Sequence, residues 1–389
     1  MVCLLRHGDA YAGFLQCSSG NSIFGNEPDM GVGTTEMCSL SGTTITCDMA
    51  SQCGSLDTES EMQVAENTSK LADSYAFKLT CKPVGAPKVD YCIVYEDDPP
   101  EVTDIVVLGT ENSDWIGFFA DIALPRQLEA LAGGPDLTAS AYGLGGHDIL
   151  VGSVENDSSY TEKLYGGDGP DHLFAKGGND FLYGGADADV LDGGAHDDVI
   201  EGGTHDDWVI GGIGRDSGAG ESGDDVICGD VGVGLLSGLE LRWSKTGHVA
   251  YTGTQTPTWT TWGLTRTGMC ATSGSTDTSG SWETADGGAG ADVIRMASIQ
   301  ARIKGGSGLD RVWGSDKSDQ MCDPMNEDDE YYGLGSGIDD QLYRATSNIS
   351  GPGLMDNTGG SSSDTCNEPS GRTTYNCTVI SGHGASCPF

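Results

Sequence analysis

A nine-residue alternation of apolar and polar positions runs through the middle of the chain. From Gly166 the sequence reads GGDGPDHLF, AKGGNDFLY, GGADADVLD, GGAHDDVIE, GGTHDDWVI, GGIGRDSGA and GESGDDVIC. The eighth position is apolar in most units, at Leu173, Leu182, Leu191, Ile200, Val209 and Ile227, and only Gly218 breaks this column. One apolar residue between two others predicts a very short strand with a single side chain pointing inward. The Gly-rich hexad before it predicts a turn, because glycine tolerates positive φ angles.

An acidic column accompanies the apolar one. Aspartate occupies the sixth position of every unit in this block: Asp171, Asp180, Asp189, Asp198, Asp207, Asp216 and Asp225. Upstream, Asp148 and Asp157 are also nine residues apart, and a five-residue insertion precedes the next aspartate. A second block, with Ala301 in one missing slot, contributes Asp292, Asp310, Asp319 and Asp328, and a last weak unit surrounds Asp339. A degenerate early unit, GTENSDWIG from Gly109, places Asp114 at the matching offset.

This pattern resembles the RTX, or haemolysin-type, calcium-binding nonapeptide G-G-x-G-x-D-x-U-x. The resemblance covers residues 143–230 and 287–343 well. It implies an all-β fold, a right-handed parallel β-roll in which two nonapeptides make one coil. Aspartates eighteen residues apart then stack in two columns, one of Asp171, Asp189, Asp207 and Asp225, the other of Asp180, Asp198 and Asp216.

Stacked carboxylates repel one another, and a bound cation turns that repulsion into a cross-link. Calcium takes about six to eight oxygen ligands, which aspartates and turn carbonyls supply. We therefore predict several Ca²⁺ ions between coils, and folding that depends on them. The predicted metal ligands are Asp148, Asp157, Asp171, Asp180, Asp189, Asp198, Asp207, Asp216, Asp225, Asp292, Asp310, Asp319, Asp328 and Asp339. The alternatives are a metal-free, solvated aspartate ladder and a Gly-rich disordered segment.

Composition agrees with a cation-binding repeat protein. The chain has 389 residues, 61 of them Gly, and a formal net charge of −40. Only 19 Lys and Arg are present, and they are scattered, so nucleic acid and anionic membranes are poor partners. No stretch approaches the ~18 apolar residues of a transmembrane helix. A merely acidic surface suited to a saline habitat would give the same charge.

Cysteine usage indicates an oxidising compartment. Thirteen Cys are present without a CxxC pair, which favours disulfides over a zinc site. Seven lie within the first 92 residues and three near the C-terminus, and the odd total leaves a thiol that is free or pairs with another chain. We expect an extracellular or cell-surface protein. The first residues lack the apolar core of a signal peptide, so a removed leader or another export route is required.

The composition shifts along the chain predict six segments. They are a Cys-rich, disulfide-stapled β domain (1–100), a degenerate opening coil (101–142), repeat block 1 (143–234), a Trp/Thr-rich hairpin insertion (235–284), repeat block 2 (285–345) and a Cys-containing cap (346–389). The opening coil carries a short helix after Pro125. The insertion either contacts sugar or a neighbouring subunit or simply packs on the roll, and its Cys270 is positioned to pair with Cys228.

No catalytic motif emerges. G-x-S-x-G and H-E-x-x-H are both absent, so we expect a protein that is not an enzyme. The leading hypothesis is a secreted calcium-binding structural or adhesive protein of the cell surface or matrix that self-assembles. Its partners would be calcium, other copies of itself or surface glycans. The alternatives are a secreted hydrolase with unfamiliar catalytic residues and a carbohydrate-binding module that uses the Trp residues of the insertion.

Overall fold

The fold is all-β and is given by a computed structural model. The structure describes residues 21–22, 37–53, 57–69, 72–83, 85, 89–96, 102–118, 137–153, 161–229, 283–296, 300–315, 317, 319–323, 330–332, 341–344, 354–356, 365–367 and 378–379. The predicted helix after Pro125, most of the Trp/Thr-rich insertion and most of the C-terminal cap lie outside these residues. Two compact units divide the chain, Met1–Gly185 (unit 1) and Ala186–Phe389 (unit 2).

In the described part of unit 1 there are thirteen strands and a one-turn helix. They are β1 (Asn21–Ser22), β2 (Cys38–Ser41), β3 (Thr44–Asp48), α1 (Met49–Cys53), β4 (Asp57–Ser69), β5 (Ala72–Pro83), β6 (Val89–Glu96), β7 (Asp104–Thr110), β8 (Asp114–Phe118), β9 (Thr138–Gly145), β10 (Ile149–Val151), β11 (Thr161–Asp168), β12 (His172–Phe174) and β13 (Phe181–Ala186). Sheet A has the order β1-β6-β5-β4-β8-β10-β12, and sheet B has the order β2-β3-β7-β9-β11-β13.

The strands of unit 1 change from antiparallel to parallel along the chain. β4, β5 and β6 form an antiparallel meander, and β2 and β3 form a hairpin. From there β4 pairs in parallel with β8, and β3 pairs in parallel with β7. Disulfides join Cys38 to Cys47 and Cys53 to Cys81. The Cys-rich segment is therefore stapled as predicted, and its strands extend both sheets instead of forming separate ones.

Unit 2 consists of parallel strands only in the part of the chain that the structure describes. They are β14 (Val190–Ala195), β15 (Val199–Thr204), β16 (Trp208–Ile213), β17 (Ser217–Ser222), β18 (Val226–Cys228), β19 (Glu283–Asp286), β20 (Val293–Arg295), β21 (Ala301–Lys304), β22 (Arg311–Trp313), β23 (Gln320–Asp323), β24 (Glu330–Tyr332), β25 (Gln341–Arg344), β26 (Leu354–Asp356), β27 (Thr365–Asn367) and β28 (Thr378–Val379). Even-numbered strands β14 to β26 follow one another in sheet C, and the odd-numbered ones follow one another in sheet D, which β28 ends.

The register confirms that two nonapeptides make one coil. In sheet C, Val190 lies beside Trp208, and in sheet D, Val199 lies beside Ser217. Successive nonapeptides thus alternate between two sheets, as the β-roll prediction requires. β18 pairs directly with β20 although the insertion separates them in sequence, so the inserted segment leaves the stacking undisturbed.

The apolar column of the repeat forms the core between the two sheets. The eighth-position side chains are buried in both units: Ile116, Leu150, Leu164, Leu173, Leu182, Leu191, Ile200, Val209, Ile227, Ile294, Ile303, Val312 and Met321. Each contributes roughly 1.5–3 kcal/mol of burial free energy. This column confirms the inward direction that the sequence predicts, and it makes a thin core with one large side chain per short strand.

The outward sides of the sheets differ between the units. In unit 1, sheet B carries a stack of half-exposed tyrosines, with ring centroids 4.5 Å apart for Tyr142 and Tyr165 and 4.9 Å apart for Tyr165 and Tyr183. In unit 2, a buried apolar cluster covers the outward side of sheet C; its members are Val190, Trp208, Ile210, Val226, Cys228 and Val293. The outward face of sheet C is therefore a packing surface and not a free platform for a ligand.

Two more cysteines, both in unit 2, form disulfides. Cys228, in the apolar cluster, and Cys322, at the end of a repeat, are both disulfide-bonded. The Trp208 indole donates a hydrogen bond to Cys228 Sγ at 3.4 Å. Cys270, the predicted partner of Cys228, lies outside the described residues.

Candidate metal centre

A ladder of buried carboxylates runs along one edge of unit 1. The main-chain N–H of Asp114 donates to Asp148 Oδ1 at 2.7 Å, and that of Asp148 donates to Asp171 Oδ1 at 2.7 Å. These residues form ladder 1a. On the other edge, the N–H of Glu162 donates to Asp180 Oδ1 at 2.7 Å, and this pair forms ladder 1b. All of these carboxylates are buried, so each is a rung inside the roll and none is a solvated surface charge.

Unit 2 repeats the arrangement over more coils. Ladder 2a is made of Asp189, Asp207, Asp225, Asp292 and Asp310, in which each main-chain N–H donates to the next carboxylate Oδ1 at 2.8–3.0 Å. In ladder 2b, the main-chain N–H of Asp198 donates to Asp216 Oδ1, and the main-chain N–H of Ala301 donates to Asp319 Oδ1. The strand register places Glu283 between these two pairs. The bond from Asp225 to Asp292 spans 67 residues of sequence.

Most nonapeptides begin with glycine, and the carboxylate that follows leaves no room there for a side chain, although one nonapeptide begins with Ala175. A Cβ atom on Gly193 would lie 2.5 Å from Asp198 Oδ2 and 2.7 Å from the main-chain oxygen of Gly211. Gly166 and Gly287 are crowded in the same way by the carboxylate of their own unit and a carbonyl oxygen of the next coil. Carboxylate and carbonyl oxygens thus converge beside these glycines, where any side chain would displace them.

The second and fourth positions need a different property of glycine. Most residues at these positions adopt positive φ, for example Gly185 at 118° and Gly308 at 134°. Three nonapeptides have a non-glycine residue with positive φ at the fourth position: Asp187, His196 and His205, with φ of 76°, 85° and 81°. A left-handed conformation costs a non-glycine residue about 1–2 kcal/mol. His205 is exposed and His196 half-buried, whereas the ladder carboxylates are buried.

Burial makes the carboxylates hard to ionise without a counter-ion. Burial raises the pKa of Asp148 to about 9, and the charges of Asp171 and Asp114 add to the effect. Burial likewise raises the pKa of Asp207 to about 9, with a further contribution from Asp225. The second carboxylate oxygens of Asp148 and Asp207 are buried and lack a hydrogen bond. An uncompensated buried carboxylate is costly, and a cation or a proton must offset it.

The donor set fits calcium better than a transition metal. The convergent atoms are carboxylate and carbonyl oxygens, which are the ligands of hard divalent cations. No group of three or more His, Cys, Asp or Glu side chains converges on one point within the described residues. A cation at these edges would therefore be shared between carboxylates of adjacent coils and main-chain carbonyls.

The structure brings most of the predicted ligands into the ladders. In unit 1 these are Asp148, Asp171 and Asp180, and in unit 2 they are Asp189, Asp198, Asp207, Asp216, Asp225, Asp292, Asp310 and Asp319. Asp157, Asp328 and Asp339 lie outside the described residues. The role of these aspartates as calcium ligands stays a prediction.

Sequence reasoning missed two carboxylates. Glu162 and Glu283 are both buried at the sixth position of a unit, and each follows an inserted segment. The signal was present, because each lies nine residues before an aspartate of the next unit and two residues before an inward apolar residue. Asp114, noted only as part of a degenerate unit, begins ladder 1a.

Comparison with known proteins places part of the chain in a family. The model of the RTX calcium-binding nonapeptide repeat matches in four overlapping copies, over residues 165–200, 183–218, 192–227 and 201–236. No curated protein matches the chain. No helix in the described part of the chain is long and apolar enough to cross a membrane. The matched segment includes the rungs of ladder 2a from Asp189 to Asp225 and the Asp198–Asp216 pair of ladder 2b. Residues 165–236 of this chain are RTX calcium-binding nonapeptide repeats.

Proposed function

We propose that this protein is a secreted, calcium-folded structural or adhesive protein of the cell surface or extracellular matrix. The observation that carries the proposal is the buried ladder of carboxylates. Calcium held between adjacent coils by Asp189, Asp207 and Asp225, together with turn carbonyls, neutralises charges that burial otherwise penalises. Disulfides in the N-terminal segment fit an oxidising location.

Calcium titration of the EDTA-treated protein tests the ligand part of the proposal. We expect several ions per chain by calorimetry and a gain of β signal by circular dichroism, because binding and folding are coupled. Asp207→Asn, which keeps the side-chain shape, should lose two ions, since this residue has a ladder neighbour on each side.

The neighbouring residue supplies a matched control. Asp206 is exposed and also accepts a main-chain hydrogen bond, from Asp224 at 2.9 Å. Asp206→Asn should bind as many ions as the unchanged protein. If the unchanged protein takes up no calcium and shows no spectral change, the ladders are only an acidic interior and the proposal is wrong.

Self-assembly through disulfides is the second part of the proposal. An odd number of cysteines leaves at least one thiol without a partner in the same chain. Non-reducing gels of the secreted protein should show species larger than the 40.4 kDa chain, and reduction should collapse them to that mass. Identical monomer mobility under both conditions would remove the support for disulfide-linked assembly.

The proposal gives the chain no catalytic step. It is supported by the sequence, in which the serine-hydrolase and zinc-protease motifs are absent, and by the repeat, which accounts for the paired carboxylates as rungs. An activity screen on polysaccharides, esters and peptides, with calcium present, should give no turnover above a heat-treated control. Reproducible turnover would favour the secreted-hydrolase alternative.

A further inference from the structure

Three tyrosines of unit 1 stack along the outward face of sheet B. Tyr142, Tyr165 and Tyr183 come from the neighbouring strands β9, β11 and β13, and all three side chains are half-exposed. Their ring centroids are 4.5 Å and 4.9 Å apart, and the rings are parallel to within 2° and 4°. These separations are close to the ~4.7–4.9 Å spacing of hydrogen-bonded strands. The coils of the roll therefore stack the three rings one above another.

The backbone holds the first two rings together. Tyr142 and Tyr165 are direct partners in the parallel register of β9 with β11, so their side chains leave the sheet side by side. Stacked aromatic rings at this distance also attract each other. The Tyr142–Tyr165 pair is thus a fixed feature of the sheet for as long as the two strands remain hydrogen-bonded.

The hydroxyl groups of the stack lie on the same side. Burial raises the pKa of the Tyr165 phenol, the charges of the Tyr142 and Tyr183 phenolates raise it further, and the Tyr142 hydroxyl is close enough to affect it directly. A head-to-tail stack would keep the hydroxyl groups of neighbouring rings apart. The ring carbons ortho to the Tyr165 hydroxyl therefore face the equivalent carbons of Tyr142.

The stack is poorly suited to holding a sugar. Carbohydrates pack against the faces of aromatic rings, but both faces of Tyr165 are covered by its neighbours in the stack. In the register of β7 with β9, Leu108 lies beside Tyr142. The accessible part of the stack is the row of ring edges. Adjacent phenol edges suit oxidative coupling, because one-electron oxidation of a phenol places radical character on its oxygen and its ortho carbons.

We propose that Tyr142 and Tyr165 are a site of oxidative cross-linking, at which a dityrosine bridge joins adjacent coils of the roll. The co-reactant is hydrogen peroxide, used by a haem peroxidase or an equivalent one-electron oxidant. Each phenol gives up one hydrogen atom, and the two phenoxyl radicals form a carbon–carbon bond between their ortho carbons. The proton on each coupled carbon then moves to the phenol oxygen and restores both aromatic rings, and one peroxide is reduced to two waters.

The bridge would add a covalent link to the outside of the sheet. It would join β9 to β11 across the segment inserted between β10 and β11, where the regular nonapeptide pattern is interrupted. Tyr165 with Tyr142 is the favoured pair, because its ring centroids are closer than those of Tyr165 with Tyr183. This inference goes beyond the proposed function, because the bridge is made by an oxidant and uses no calcium ligand.

Oxidation of the full chain in calcium buffer at low protein concentration tests the site. One sample receives peroxidase and hydrogen peroxide, and a second receives persulfate with a light-activated ruthenium complex, a small oxidant that needs no docking surface. We expect dityrosine fluorescence in the monomer fraction and a monomer mass lower by two hydrogen atoms. Trypsin separates Tyr142 and Tyr165 into the peptides 127–163 and 164–176, so a cross-linked pair of these peptides identifies the bridge.

Two phenylalanine variants locate the reaction. Tyr165→Phe keeps the stacked ring but removes the hydroxyl needed for coupling, and it should lower monomer dityrosine by at least about tenfold, because proximity within the stack sets the rate. Tyr183→Phe is the matched control. It makes the same chemical change in the same stack but leaves the closer pair intact, so it should keep most of the dityrosine and the cross-linked peptide pair.

Three results would overturn the inference. They are equal yields of monomer dityrosine from Tyr165→Phe and the unchanged protein, dityrosine found only between chains, and no cross-linked peptide pair with either oxidant. Circular dichroism verifies that the variants keep the fold. Should Tyr165→Phe lose it, Tyr142→Phe takes its place, since it removes the other hydroxyl of the same pair and should likewise abolish the link between the two peptides.

Discussion

In EDTA, the free energy of unfolding is expected to increase as the pH falls from about 9 to about 4. The metal-free ladders hold Asp148 and Asp207 with a pKa of about 9, against an ordinary value of 3.8. A carboxyl group whose pKa is raised by folding binds its proton more tightly in the folded state. Its favourable contribution is therefore complete below the unfolded pKa and is lost as the pH rises through the folded pKa.

Calcium should reverse the direction of this pH dependence. With the ion bound, the carboxylates must be ionised to act as ligands, so protons compete with the metal and acid destabilises the roll. We expect the EDTA form to gain at least about 2 kcal/mol between about pH 8.5 and about pH 5, and the calcium form to lose stability over the same range. Circular dichroism at both pH values, with and without calcium, measures the folded fraction in the four conditions, and denaturant unfolding measures the stability wherever the protein is folded.

The Asp206→Asn protein is the control for this experiment, because its changed residue is exposed. It should show the same reversal as the unchanged protein. The Asp207→Asn protein should show a smaller gain on acidification in EDTA, since it has lost one of the shifted groups. Parallel pH profiles in EDTA and in calcium would contradict the electrostatic account of the ladders.

Gly308→Ala is expected to destabilise the protein by at least about 3 kcal/mol. Gly308 lies in a turn with φ of 134°, a region that residues with a side chain rarely adopt. A Cβ atom there would also overlap the main-chain oxygen of Gly290 in the preceding coil. Neither a rotamer change nor a small side-chain shift can relieve a clash with backbone, so the turn itself must move.

Gly218→Ala is the matched control, because this glycine occupies the eighth, inward position where the repeat usually has an apolar residue. Its Cβ atom would lie 3.1 Å from Val209 Cγ1 and 3.3 Å from Ile227 Cγ2. Those contacts are with side chains, so we expect a change within about 1 kcal/mol of either sign. Thermal unfolding of both variants in calcium gives the comparison. Equal losses of stability would show that turn glycines are no more constrained than core glycines.

The repeat made the fold predictable, because one apolar position in nine and one aspartate in nine fix both the coil length and the inward face. Leu182 and Val209 are buried where the sequence places them. The pairing of β3 with β7 and β4 with β8 was not predictable, because β3 and β4 carry no nine-residue pattern. Their membership of the two sheets follows from long-range pairing.

The candidate site was predicted in part. The aspartate spacing identified the rungs, but it did not reveal that each main-chain N–H donates to the carboxylate of the next coil. The aspartate spacing also missed Glu162. Asp157 lies nine residues after Asp148 and continued the count, and the inserted residues then shifted the nine-residue frame. A search for any carboxylate two residues before an inward apolar residue would have found Glu162 and Glu283.

The eighteen-residue step between rungs also constrains how such an array can evolve. Each hydrogen bond within ladder 2a from Asp189 to Asp225 links residues eighteen apart. Duplicating or deleting eighteen residues would keep every downstream strand in its sheet and every downstream insertion on its own side. A change of nine would exchange the two sheets for everything that follows and turn those insertions to the opposite side. Lineages of this protein should therefore differ in length by whole coils, and their nonapeptides should be gained or lost in pairs.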